Sequence, residues 1–141
     1  MYKEIITKVV YHVRDRVNRQ IFDPELKRLF SHTPPKDLVI FDVGCYFGES
    51  IERYSSLFPG CTIYSFEPDN VPYVEVTKKY QQRNNVFIQN FGIGAFDGIA
   101  DFYKCTVPGN SSFNNILESS KWAEHRARIQ GKEPADLVRL I

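Results

Sequence analysis

The chain changes hydrophobic period near residue 38, and most of its organisation follows from that change. From Lys3 to Ile21, Ile5, Ile6, Val9, Val10, Val13, Val17 and Ile21 recur at helical spacing, with Arg14, Asp15, Arg16, Asn18 and Arg19 on the other face. This predicts an amphipathic helix, either laid against a domain or lying as a basic helix on a membrane surface. A β-branched stripe without Trp or Phe, with acids among the bases, favours the first. Asp23-Pro24 predicts an N-cap with proline at the first helical position, opening a short helix through Leu29-Phe30 that Thr33-Pro34-Pro35 ends. Leu38 to Phe41 is then apolar without alternation, as expected of a parallel strand covered on both faces. After Asp42, Gly44 and Gly48, the residues Ile51, Tyr54, Ser55, Leu57 and Phe58 return to helical spacing and stop at Pro59-Gly60. Strand, glycine turn and helix in this order open a doubly wound α/β domain.

The pattern continues in the same sense. Cys61 to Phe66 is β-prone and ends in Glu67-Pro68. Asp69 or Asn70 can cap a helix carrying Val71, Val74, Val76 and Tyr80, with Pro72 tolerated in its first turn and Gln81 to Asn85 as a polar stop. Val86 to Ile88 is a third strand. Asp97-Gly98 between β-prone runs, followed by alternation from Ile99 to Cys105, predicts a β-hairpin. Pro108 to Phe113 reads as a polar loop, either a plain connection or a segment facing a ligand. Ser119 or Ser120 can cap a helix from Lys121 to Gln130, with Trp122, Arg126 and Ile129 on one face and Gly131 closing it. The apolar run ending at Ile141 predicts one more strand. Residues 1–36 are thus expected to form an N-terminal helical segment and 37–141 an α/β domain.

Composition narrows the function classes. With 141 residues and a formal net charge of +1, there is no general electrostatic case for nucleic acid or an anionic membrane. No stretch approaches the ~20 apolar residues of a membrane span. Cys45, Cys61 and Cys105 are odd in number and widely spaced, forming neither a disulfide framework nor a zinc pattern. His12, His32 and His125 lack metal-ligand spacing, so no metal is expected. Free thiols point to a cytoplasmic protein.

The candidate chemistry lies at the strand ends. Gly44 permits close backbone approach at the carboxyl end of the first strand, where doubly wound folds bind ligands. Glu67 follows the glycine turn by about 20 residues, the distance at which dinucleotide sites carry an acid for the ribose hydroxyls. A G-x-G-x-x-G fingerprint would need glycine at Tyr46 and Glu49, and no Walker lysine follows Gly48. The absence of a pyrophosphate cradle favours a nucleoside lacking one, such as S-adenosylmethionine, over NAD. The bland alternative is a turn that only packs a helix against a strand. Asn90 likewise has two readings, turn chemistry before Gly92 or a contact in the ligand crevice.

Three segments together resemble the FkbM family of S-adenosylmethionine-dependent methyltransferases: Phe41-Asp42-Val43-Gly44-x-x-Phe47-Gly48-Glu49-Ser50, Tyr64-Ser65-Phe66-Glu67-Pro68, and Asn90-Phe91-Gly92-Ile93-Gly94-Ala95-Phe96-Asp97-Gly98. The resemblance runs from about Leu38 to Phe113. It departs from the family at Cys45-Tyr46, where Ala-Asn is usual. It implies an α/β, Rossmann-like class I methyltransferase fold, here the N-terminal half of the doubly wound sheet plus a β-hairpin, preceded by N-terminal helices, so that 37–141 would be an incomplete Rossmann-like cofactor-binding domain. The family's later "T-L-D-D"-like and "D-x-E-G"-like segments do not occur in this sequence. The cofactor-binding set it implies is Asp42, Gly44, Cys45, Tyr46, Gly48, Ser50, Glu67, Pro68 and Asn90, with Glu67 on the ribose diol and Asp42 toward the cationic methionyl end or ordering the turn.

Methyl transfer from a sulfonium is an in-line displacement for which the protein mainly supplies alignment, with a base where the acceptor loses a proton. No catalytic base can be named from the sequence. By resemblance the acceptor is a hydroxyl of a sugar, glycan or other small metabolite. A non-catalytic cofactor-binding or interaction module is the alternative, and Tyr46 and Glu49 argue against a nucleotide-binding oxidoreductase. The first strand, with no fourth strand to pair with it, is expected to have its open edge capped by another copy of the chain, by the N-terminal helix or by Leu137 to Ile141, self-association being preferred.

Overall fold

The computed structural model describes residues 16–106, 109–114 and 117–140. The upstream part of the predicted N-terminal helix, from Lys3 to Asp15 and including His12, lies outside the described residues, as do Pro108 and Ile141. The chain divides into two compact units, one ending at Gly92 and one beginning at Ile93.

The first unit is α/β, with a three-stranded parallel sheet and connecting helices. Strands β1 (Val39–Val43), β2 (Thr62–Phe66) and β3 (Val86–Gln89) lie in that spatial order, with Val39 opposite Thr62 and Ile63 opposite Val86. This arrangement is compatible with a Rossmann-like fold.

At the N-terminal side a π-helical turn, Asn18–Phe22, runs without a break into helix α1 (Asp23–Leu29). Asp23 is therefore not the N-cap expected from its sequence. Its own backbone is helical, and its N–H donates to Asn18 O, a wide-turn bond. The wide turn accommodates Pro24, which can neither donate nor approach the preceding turn closely. An extra residue in the turn also rotates the apolar stripe by roughly 100°. Val17, Ile21 and Phe22 are left exposed, so this end of the helix is not laid against the unit as expected. The attachment is made instead by Leu26 against the core, by Phe30 edge-on to Phe58, and by the Asp23 carboxylate, which accepts from Arg53 Nε at 2.8 Å.

Helix α2 (Glu49–Leu57) follows the glycine turn, and α3 (Asn70–Tyr80) is capped by Asp69, whose carboxylate accepts the Val71 N–H at 3.1 Å. Both helices close over one face of the sheet. Cys45, Ile51, Phe58, Cys61, Ile63, Val76, Tyr80 and Val86 form its core.

The other face overturns the expectation of a first strand covered on both sides. Val39, Phe41 and Val43 are 54%, 68% and 61% exposed. Tyr64 stacks between Phe41 (ring centroids 5.6 Å apart) and Phe87 (5.0 Å), giving an aromatic row across the three strands.

In the second unit β4 (Tyr103–Cys105) pairs antiparallel with β5 (Val138–Leu140). Helix α4 (Lys121–Gln130) is capped by Ser120 and closed by Gly131 in the left-handed conformation. Ala123, Ala127, Cys105 and Leu137 are its buried core. The β-hairpin expected at Asp97-Gly98 does not form. These residues sit in bends, Ile99 is fully exposed, and β4 takes a distant strand as its partner. The chain instead reverses between Tyr103 and Ser112, which exchange N–H···O bonds of 2.8 and 3.0 Å. Burial of Cys105 and Leu137 thus outweighs the local turn signal. Among the described residues no helix is long and apolar enough to cross a membrane.

Candidate functional site

The carboxyl ends of β1 and β2 bring together most of the residues selected by sequence. Gly44 has a left-handed backbone (φ 82°), and a Cβ built there meets nothing within 4 Å. Its N–H and that of Cys45 donate to Phe66 O at 2.9 and 3.3 Å, so the turn leaves β1 still fastened to β2. Tyr46 is left-handed as well (φ 49°), a conformation that costs a non-glycine residue about 1–2 kcal/mol. A specific contact holds it there: its N–H donates to Glu67 Oε2 at 2.8 Å.

Glu67 clasps two turns at once. Its second oxygen, Oε1, accepts the Asp69 N–H at 2.8 Å, while Asn90 Nδ2 donates to Glu67 O at 2.9 Å and to Pro68 O at 3.4 Å. Asn90 therefore ties the end of β3 to the turn after β2, with Pro68 as the second acceptor. Burial pushes the Glu67 carboxyl above its ordinary pKa. The two N–H donors work against that shift, and the neighbouring Asp69 and Asp42 carboxylates add to it.

Asp42 is buried at the end of β1. One of its oxygens, Oδ2, accepts both the Ser50 hydroxyl at 2.7 Å and the Ser65 hydroxyl at 3.2 Å. Burial raises its pKa as well, and the two hydroxyls offset part of the rise. Asp42, Glu67 and Asp69 thus gather negative charge where the sheet ends, an environment in which a cation is favoured.

Cys45 turns its side chain into the core, so that only its backbone belongs to the turn. Burial, with Asp42 and Glu67 nearby, pushes the thiol up to about 12, which leaves it protonated and without nucleophilic character at neutral pH. Gly48 has a different task from Gly44. A Cβ there would lie 2.6 Å from Tyr80 Cε2 and 2.9 Å from Val76 Cγ2. Tyr80 uses the space to donate its hydroxyl to Gly48 O at 2.9 Å, and it also reaches Glu52 Oε2 at 3.1 Å.

Ser65 and Tyr80 were not selected as site residues from the sequence. Ser65 had a legible signal, since it shares parity with Ile63 on the covered face of β2, and a buried hydroxyl requires a partner. Tyr80 had none beyond its place on an apolar helix face. Among the described residues no group of His, Cys, Asp and Glu side chains is assembled to hold a metal ion. In comparisons with known proteins, no family model matches the chain and no curated protein matches it.

Proposed function

We propose that the chain is the cofactor-binding part of an S-adenosylmethionine-dependent methyltransferase with a class I fold. The observation that carries this reading is Gly44, left-handed and open on its Cβ side at the carboxyl end of β1, flanked by the Asp42 and Glu67 carboxylates. The residues present fit the group: the bare glycine admits a ligand against the backbone, and gathered carboxylates suit a cationic one. Glu67 would take the ribose diol, because each carboxylate oxygen has acceptor capacity beyond the single backbone N–H it now receives. Asp42 would face the cationic end electrostatically while its hydroxyl partners hold it in place. S-adenosylmethionine, when bound, supplies the methyl group. The resemblance to FkbM proteins makes a sugar, glycan or small-metabolite hydroxyl the acceptor class, and the free thiols favour the cytoplasm as the setting.

A second reading, a non-catalytic cofactor-binding or interaction module, is favoured by one observation. The turn is already self-satisfied, with Glu67 engaged by Tyr46 and Asp69 and Gly48 filled by Tyr80. Calorimetric titration with S-adenosylhomocysteine and, separately, NAD tests the cofactor class without knowledge of the acceptor. Binding of the first and not the second is expected. Binding of NAD alone, or of neither, overturns the methyltransferase reading.

A further inference from the structure

We infer that the cleft between the π-helical turn and α2 binds an acidic sugar, a pyranose carrying a single carboxylate. The binding is argued from the cleft alone; that the sugar is the methyl acceptor rests on the methyltransferase reading. The cleft encloses about 680 Å³, within the ~300–1,000 Å³ of small-molecule sites. Asn18, Arg19 and Lys27 line it from the N-terminal side, and Glu49, Ser50 and Arg53 line it from α2. Asn18 and Arg19 belong to the π-helical turn, a rare distortion that recurs at functional sites. The two walls are fastened together, since Arg53 Nε and Nη2 both donate to the Asp23 carboxylate. Ser50 also donates its hydroxyl to Asp42, so the cleft adjoins the carboxyl end of β1 and the candidate cofactor site.

The lining selects the chemistry of the ligand. Among the described residues that line the cleft, Leu57 alone is apolar. Such a wall offers little to a hydrocarbon and many donors and acceptors to a polyhydroxylated ring. Most of its charges are already engaged. Arg53 is neutralised by Asp23, and Lys79 lies 3.9 Å from Glu52, which also accepts the Tyr80 hydroxyl. Lys27 and Glu49 make no ion pair or side-chain hydrogen bond among the described residues. A carboxylate is acceptor-only, and its two oxygens match two neighbouring hydroxyls of a pyranose. An ammonium is donor-only and matches a carboxylate. Glu49 therefore takes the ring hydroxyls and Lys27 the acid group. Cationic side chains in the lining exceed carboxylates by one, which a singly charged ligand balances. A phosphate ester brings about two negative charges and would face Glu49 and Glu52 as well.

Saturation-transfer NMR titrations with glucuronate, galacturonate and glucose test the site, with S-adenosylhomocysteine titrated on the same samples. One of the two uronates should bind roughly tenfold tighter than glucose, the scale of one hydrogen bond to a charged group. Lys27→Gln should bring that uronate down to the level of glucose and leave glucose unchanged. Glu49→Gln should weaken both sugars. Both residues are exposed, so both variants should fold and keep the parent's response to S-adenosylhomocysteine. Binding of neither uronate overturns the inference, as does equal binding of uronate and glucose, or uronate affinity that survives both substitutions. Uronate binding without S-adenosylhomocysteine binding removes the methyltransferase reading and leaves the acidic-sugar site standing. The reverse outcome overturns the sugar site alone.

Discussion

Glu67 and Tyr46 are 21 residues apart in the chain, yet the Tyr46 N–H donates to Glu67 Oε2 at 2.8 Å. The contact joins the turn after β1 to the turn after β2 and holds Tyr46 in its left-handed conformation. An acid that the sequence marks only as a ribose ligand is therefore also part of the frame of the site.

Glu67→Ala tests both roles. Two backbone N–H groups lose their acceptor, which should lower the unfolding free energy by about 1–3 kcal/mol, and S-adenosylhomocysteine affinity should fall by a similar amount. Urea denaturation measures the first and calorimetry the second. An unchanged unfolding midpoint would remove the frame role, and unchanged affinity in a variant that still folds would remove the ribose role.

The two glycines should respond differently to the same substitution. Gly44→Ala meets open space and carries only the left-handed penalty of about 1–2 kcal/mol, so the fold should survive while ligand binding is lost. Gly48→Ala adds an overlap with Tyr80 and Val76 to that penalty and should be clearly the less stable of the two. Thermal melts of both variants decide this, and equal destabilisation would contradict it.

Tyr80→Phe keeps the packing and removes the hydroxyl on Gly48 O. A loss of about 0.5–1.5 kcal/mol is expected, without change in the helical circular dichroism. No loss would mean that the hydroxyl is as well solvated in the unfolded chain as it is bonded in the fold.

Asp42 gives a pH dependence whose sign follows from burial. Its folded pKa lies above its unfolded one, so the protonated group binds its proton more tightly in the fold. That contribution is complete below the unfolded carboxylate pKa and is lost as pH rises through the raised value. Asp42→Asn retains a carbonyl oxygen for both serine hydroxyls and removes the charge. It should therefore be more stable than the parent at neutral pH, with the difference shrinking in acid. Urea midpoints across that range measure it, and a less stable variant at neutral pH would show that the carboxylate charge favours the fold.

The strand–turn–helix unit was legible because three local signals agree there: an apolar run, glycines at positions needing a left-handed backbone, and helical spacing after Gly48. The Ser120 cap and the Gly131 stop of α4 were legible for the same reason. The open face of the sheet was not. Phe41 and Val43 are as apolar as buried residues, and an unbroken apolar run carries no information about which face is covered. Asp23-Pro24 misled because the same dipeptide suits a helix start and a wide turn; here the backbone runs on from the preceding turn and the Asp23 carboxylate, freed from capping, accepts from Arg53 thirty residues away. At Asp97-Gly98 the turn chemistry was sound but the strand it would have created lost to β5. Within the candidate site, Glu67 and Gly44 announced themselves by spacing. The partnership of Asp42 with Ser50 and Ser65 depends on how two strands and a helix meet, which no local pattern encodes.

The filling of the space above Gly48 by Tyr80 separates the upkeep of the motif from the upkeep of binding. Any descendant of this chain that abandoned its ligand would still be selected to keep Gly48, since replacing it would push apart α2 and α3. Gly44 is held to glycine only by its left-handed backbone, because the space beside it is empty of protein. On the cofactor-binding reading proposed above, Gly44 is therefore the position of the two at which loss of a ligand would first be tolerated in the sequence, since only its backbone conformation would still favour glycine there.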